Sequence, residues 1–222
     1  MMFQKEILDV LDVLDEAEKN ILSHPKGELI LAIKEKIWGA IEGGEGTSSV
    51  VQTNGLKRRA RLDILCVKKV INVWDNVLPN DKRIIELLKM IDEYFNGKID
   101  KKSLERVKDS FSTVCDDLGS HSNYEISLAA YVGFATVRAV STAIFDKAYY
   151  GDDLEAKANE ILDDDIGPDE WDTSYYASMA YVGKPTWEEQ DEVSINKRRG
   201  FWMWYITKAV PEAYEAFFDD EE

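Results

Sequence analysis

An all-α fold is what this sequence predicts: a helical bundle or array of eight or nine helices, with no sheet, in one domain spanning residues 1–222. Three observations carry the prediction. Apolar residues recur at about 3.6-residue spacing along most of the chain. Capping and stopping residues divide those stretches into helix-sized pieces. Nowhere do four to eight residues alternate cleanly between turn signals, as a strand requires. With 222 residues, 45% of them hydrophobic and 32% charged, a core of ordinary size needs no covalent staples.

The elements follow in order. Ile7, Leu11, Leu14 and Ile21 give a helix over Phe3–Leu22, which Pro25 and Gly27 break. Leu29, Ile33, Ile37 and Ile41 give a second over Glu28–Ile41. Residues 43–54, opening on Gly43-Gly44-Glu45-Gly46, read as a flexible loop. A third helix runs from about Leu56 to Val77 on Leu62, Leu65, Val70, Val73 and Val77. Pro79-Asn80-Asp81 starts a fourth, through Ile84, Leu87, Leu88 and Ile91 to Phe95, and Asn96-Gly97 closes it with a left-handed stop. Asp100 caps a fifth, ending near Gly119.

Ser122-Asn123-Tyr124-Glu125 has the form of a capping box, opening a central apolar helix that Gly151 ends. A short helix is expected over Asp153–Leu162, an acidic turn over Asp163–Asp169, and a helix over Glu170–Val182. Thr186-Trp187-Glu188-Glu189 repeats the capping-box form, before a final helix at about Ile195–Phe218.

Ile126–Phe145 is long enough to span a membrane, but Arg138 stands in it and Ser127, Thr136, Ser141 and Thr142 dilute it. A helix apolar all round is also what the centre of a helical domain looks like, and a buried helix with no membrane partner is expected. Cys66 and Cys115 both lie in apolar helical patterns and are expected as free buried thiols. Acids interrupt the N-terminal stretch where an export signal needs an apolar run, so a cytoplasmic location is expected.

The net charge is −16. Residues 151–222 carry 20 acidic and 6 basic residues, so nearly all the excess sits there. Such a field repels nucleic acid and anionic membrane and attracts basic proteins and cations. Its densest part is Asp163, Asp164, Asp165, Asp169, Glu170 and Asp172, with Glu188 and Glu189 further on. A calcium loop starting at Asp163 fails, because Gly167, Pro168 and Ser174 stand where Asp or Asn, Gly and Glu are needed. No metal site is assigned; a looser hard-cation site, a solvated acidic turn and a partner-binding surface all remain.

Other constellations offer less. The Gly43–Ser49 stretch lacks the Lys of a phosphate loop. Lys57, Arg58, Arg59 and Arg61 form the one dense basic cluster, expected to pair with the chain's own acids and not with nucleic acid. Arg138, if buried, needs a carboxylate, with Asp165 or Asp172 as its guessed partner. His24 and His121 stand alone, no nucleophile elbow is present, and neither a catalytic residue nor a cofactor is assigned. Trp202 and Trp204 point roughly 200° apart on a helix, so one can fill the core while the other packs on a neighbour or meets a partner.

The segment Lys197-Arg198-Arg199-Gly200-Phe201-Trp202-Met203-Trp204, continuing through Pro211 to Tyr214, resembles the C-terminal motif of the fifth family of immunity proteins of bacterial polymorphic toxin systems. That family is described as mostly α-helical with a Trp-x-Trp motif. Cys66–Tyr94, Asp169-Glu170-Trp171-Asp172 and Tyr175-Tyr176-Ala177 share the likeness, which covers roughly residues 55–216. The family's acid–Arg pair has no counterpart directly before Arg198 or Arg199, where Asn196 and Lys197 stand.

The resemblance implies a neutraliser of a secreted or contact-delivered toxin, often a nuclease. The charge points the same way, since a nuclease is basic where it grips phosphate. An acidic inhibitor is steered to such a face at up to about 10⁹ M⁻¹s⁻¹ at low salt. Two other readings stay open: a helical enzyme using a divalent metal, and a non-catalytic adaptor whose acidity serves solubility.

Overall fold

The computed structural model describes residues 2–41, 53–145 and 161–215, with side chains from Val10 onward in the first stretch. Among the described residues there are nine α-helices and no strand, so the all-α fold read from the periodicity is the observed one. The expected loop at 43–54 falls outside the described residues as far as 52; Thr53 already caps a helix that begins at Asn54. The expected helix at 153–162, the stop at Gly151 and the end of the final helix near Phe218 also lie outside them, apart from residues 161 and 162.

The centre is α6 (Tyr124–Phe145). Around it pack α3 (Asn54–Val77), α4 (Arg83–Phe95), α5 (Lys101–Gly119) and α7 (Thr173–Val182). This explains why α6 has a membrane helix's length and apolarity: it is surrounded by other helices. Ala129, Ala130, Gly133, Ala135, Ala139 and Ala143 let the neighbours approach closely. Of the polar side chains that dilute it, Thr136 Oγ1 donates to the Val132 carbonyl and Ser141 Oγ to the Val137 carbonyl, both at 2.9 Å, while Thr142 Oγ1 leaves the helix for Asp63 on α3. Its capping box differs from expectation. Asn123, not Ser122, is the cap, and its Oδ1 accepts from the Glu125 amide at 2.9 Å.

α1 (Met2–Ser23) buries Val10, Ala17 and Ile21, while Leu11, expected inside, is 53% exposed. α2 (Leu31–Ala40) starts three residues later than its periodicity suggests. Glu28 to Ile30 are extended because tertiary partners take their polar groups. The Ile30 amide donates to Asn20 Oδ1, the Leu31 amide to the Ile161 carbonyl, and the Glu28 carboxylate is held by Arg198 and Trp202.

After two single 3₁₀ turns, Asp163–Asp165 and Pro168–Glu170, Asp172 caps α7, which therefore begins at Thr173 and not Glu170. Gly183, at φ 80°, ends it. Thr186 does not cap a helix; it is buried, and Asp191 opens α8 (Glu192–Trp204) instead. A π turn over Tyr205–Ala209 joins α8 to α9 (Val210–Glu215). Pro211 is its physical cause: the proline ring removes the amide that would bond the Thr207 carbonyl and crowds that turn, so the ladder widens before it.

Candidate functional site

The acidic segment folds back over α2 and α7, and its carboxylates divide into two sets. Asp163 and Asp172 turn inward onto Lys34 of α2, whose side chain is fully buried. The ammonium lies 5.5–5.9 Å from the ring centres of Trp38, Tyr175 and Trp202. Burial works against the Lys34 charge, but the two carboxylates outweigh it and hold its pKa above the usual range. Burial also raises both acids. For Asp172, Lys34, Ser174 and the Tyr175 amide prevail and hold it low, whereas burial prevails at Asp163 and leaves it high. Asp164 is bound by the hydroxyls of Tyr175 and Thr186. The inner set is a structural clamp that fixes the segment to the body of the fold.

The second set faces solvent: Asp165, Asp169, Glu170, Glu188 and Glu189 are exposed. Between them Trp187 is 56% exposed and stacks on Trp171, with ring centres 5.5 Å apart and planes 20° apart. Trp171 is fixed from below, its Nε1 donating to the Asp163 carbonyl at 2.8 Å. Tyr124 Oη, also exposed, reaches the Gly183 carbonyl at 3.1 Å. An aromatic step thus stands among five exposed carboxylates, of which Asp165 accepts the Leu162 amide at 2.9 Å and Glu188 the Tyr124 hydroxyl at 3.5 Å. The capping-box form of Thr186-Trp187-Glu188-Glu189 conceals the role of Trp187. The available signal was a large apolar ring directly beside two acids.

Beside that step a cavity of about 200 Å³ opens between α2, α3, α6 and the acidic segment. Trp38, Asp63, Thr142, Ile166, Glu170 and Trp171 line it. Asp63 is buried; Thr142 Oγ1 donates to its carboxylate at 2.7 Å, and desolvation pushes it up to about 7.

Arg138 is half-buried and its guanidinium donates to the Pro168 carbonyl at 2.9 Å, a correction to both carboxylates named for it. Its partial exposure removes the need for a full ion pair. The basic cluster is largely taken up internally: Arg58 lies over the Tyr214 ring at 4.6 Å, Arg59 is buried, and Arg61 pairs with Glu212 at 3.0 Å. His24 accepts the Glu28 amide, and burial together with Lys26 and Arg199 lowers its pKa. Among the described residues no group of three His, Cys, Asp or Glu side chains is placed to hold a metal ion. Cys66 and Cys115 are free and buried.

The Trp-x-Trp pair splits between interior and margin. Trp202 is fully buried, and its Nε1 donates to Glu28 Oε2 at 3.0 Å. Trp204 is half-buried against Phe201, with Lys69 Nζ 4.9 Å from its ring centre. An acid does meet Arg198, but from a distance in sequence: Glu28 Oε1 lies 3.0 Å from its guanidinium. A model of one protein family, described as immunity protein Imm5, matches residues 14–212. The chain belongs to the Imm5 family. Its members are immunity proteins, whose partner is a toxin. No curated protein matches the chain. The matched span of this Imm5 member includes the Lys34 clamp, the cavity, the Trp171–Trp187 step and all five exposed carboxylates.

Proposed function

We propose that this Imm5 member neutralises its toxin by stoichiometric binding, and that the toxin docks on the acidic face of Asp165, Asp169, Glu170, Glu188 and Glu189. The observation that carries the reading is the exposed Trp187, stacked on Trp171 among those carboxylates. An aromatic anchor within a charged margin is the usual anatomy of an energetic centre in a protein interface. The carboxylates supply long-range attraction and on-rate, while the indole supplies the short-range area that resists dissociation.

The charge complement of this face is a basic toxin, and the reading takes that toxin to be a nuclease, because a phosphate-gripping surface is positive. An acidic face laid over it competes with nucleic acid for the same cations. No chemistry by the inhibitor is required. Asp163, Asp164 and Asp172 belong to the fold under this reading and not to the interface, since the clamp occupies them.

The test is charge reversal of the five exposed carboxylates to lysine, with toxin capture followed by stopped-flow at several salt concentrations. Association with the unaltered protein should slow steeply as salt rises, and the reversed protein should lose both the speed and the salt dependence. An unchanged association rate in the reversed protein would put the docking surface elsewhere.

A further inference from the structure

The cavity beside Trp171 has the size, charge and position of a socket. At about 200 Å³ it exceeds the cavity of about 150 Å³ that admits a benzene ring, and falls short of the roughly 300–1,000 Å³ of a pocket for a drug-sized ligand. One side chain is the matching scale. Ile166 is half-buried and Glu170 exposed at its margin, so it is reached from the acidic face. Trp171 belongs to both features: it lines the cavity and carries the stack with Trp187.

Among the described residues four acids line the cavity, Glu35, Asp63, Glu170 and Asp172, against two arginines, Arg59 and Arg138. Asp172 is taken by Lys34, and Arg138 is directed to the Pro168 carbonyl. Asp63 is held by a hydroxyl from Thr142 at 2.7 Å, with Thr173 beside it and a weaker attraction from Arg59. None of the ion pairs among the described residues reaches Asp63, and burial outweighs the attraction of Arg59 and lifts it to about 7. A cation seated against Asp63 with hydrogen bonds to its carboxylate would restore that charge and offset part of the penalty of its own burial.

We infer that this cavity receives one arginine side chain of the toxin, its guanidinium seated against Asp63 between the indoles of Trp38 and Trp171. The inference rests on the proposed docking of a basic toxin at this face. Arginine is favoured over lysine because its planar, weakly hydrated guanidinium stacks on indoles and can donate to a carboxylate and a hydroxyl together.

The probe is L-arginine amide, titrated into the intact protein and followed by the indole N–H signals of Trp38 and Trp171, with L-citrulline amide as its neutral counterpart and L-lysine amide as the other cation. Saturable binding of arginine amide is expected, stronger than lysine amide, with citrulline amide inert. Asp63→Asn should weaken it about tenfold or more. Ile166→Trp, which fills the cavity at its margin and leaves Asp63 untouched, should abolish it. Equal response to arginine and citrulline amides, no response to arginine amide, or indifference to both substitutions overturns the socket.

Toxin capture separates this inference from the docking reading. Reversal of Asp165, Asp169, Glu188 and Glu189 to lysine, which spares Glu170 at the cavity margin, should slow association and leave Asp63-dependent arginine-amide binding in place, whereas Asp63→Asn should speed dissociation about tenfold or more. If the reversals leave toxin capture intact while arginine amide still needs Asp63, the docking reading fails, and with it the toxin as the source of the arginine, while arginine binding by the cavity stands. If capture depends on the rim and arginine amide ignores Asp63, the socket fails and the docking reading stands.

Discussion

Lys34 and Asp172, 138 positions apart in the chain, form a buried ion pair that ties the acidic segment to α2. Asp163 shares the same ammonium. Removing the cation strands two carboxylates at once, one of them fully inside. Lys34→Met keeps the volume and deletes the charge. It should destabilise the protein by about 3–5 kcal/mol, the usual loss when one partner of a buried pair is removed. Urea denaturation of the two proteins checks this, and a loss below about 1 kcal/mol would show that the clamp is not structural.

The Asp63 carboxylate makes a second prediction, in pH. Its folded pKa, pushed up to about 7, lies above the ordinary unfolded value of about 3.9. Between those values the folded state holds more protons than the unfolded one, so stability falls as pH rises. The contribution is full below about pH 4 and is lost as pH climbs through about 7. Asp172, held low by Lys34, tilts the profile in the opposite sense at lower pH, so the informative quantity is a difference. Stability of the unaltered protein minus that of Asp63→Asn should decline from pH 4 to pH 7. A difference flat across that range would mean that Asp63 titrates normally.

These groups show where sequence reading succeeds and where it stops. Helix periodicity is local, so α1 to α5, the start of α6, and α7 are legible to within a few residues, and so are the cap at Asp100 and the left-handed stop at Gly97. The split of the acidic run was not. Which of Asp163, Asp164 and Asp165 turns inward is decided by Lys34, Tyr175 and Thr186, which lie 129, 11 and 22 positions away from their partners. No periodicity records such a contact. Arg138 requires a carboxylate only if it is buried, and its half-exposure removes that premise. Trp187 was hidden by a better-known pattern laid over the same four residues.

Trp187 gives the sharpest separation of binding from folding. Its ring is 56% exposed and contributes to the fold mainly through the stack with Trp171. Trp187→Ala should therefore lower stability by at most about 1 kcal/mol, the scale of one aromatic pair. If the ring anchors the interface, the same substitution should weaken toxin binding by about 2 kcal/mol or more, mostly through faster dissociation. Paired calorimetry of unfolding and of binding would read both. Equal, small losses in the two would remove Trp187 from the interface while leaving the carboxylate rim to be judged by its own reversals.

The contact of α5 with α6 depends on an absent methyl group. A Cβ added at Gly133 would lie 2.5 Å from Cys115 Sγ and 3.4 Å from Trp74 Cζ3. The first distance is too short for any real pair of atoms, and the sulfur is buried with little room to turn. Gly133→Ala should thus cost about 1–3 kcal/mol from overpacking, although alanine is the better helix former. Cys115→Ala leaves only its Cβ, 3.5 Å from the new methyl group, which is ordinary contact. The double variant should then recover most of the loss, and the two substitutions should couple by about 1 kcal/mol or more in a thermodynamic cycle. Simple additivity of the two losses would instead place the strain against Trp74 or the α6 backbone.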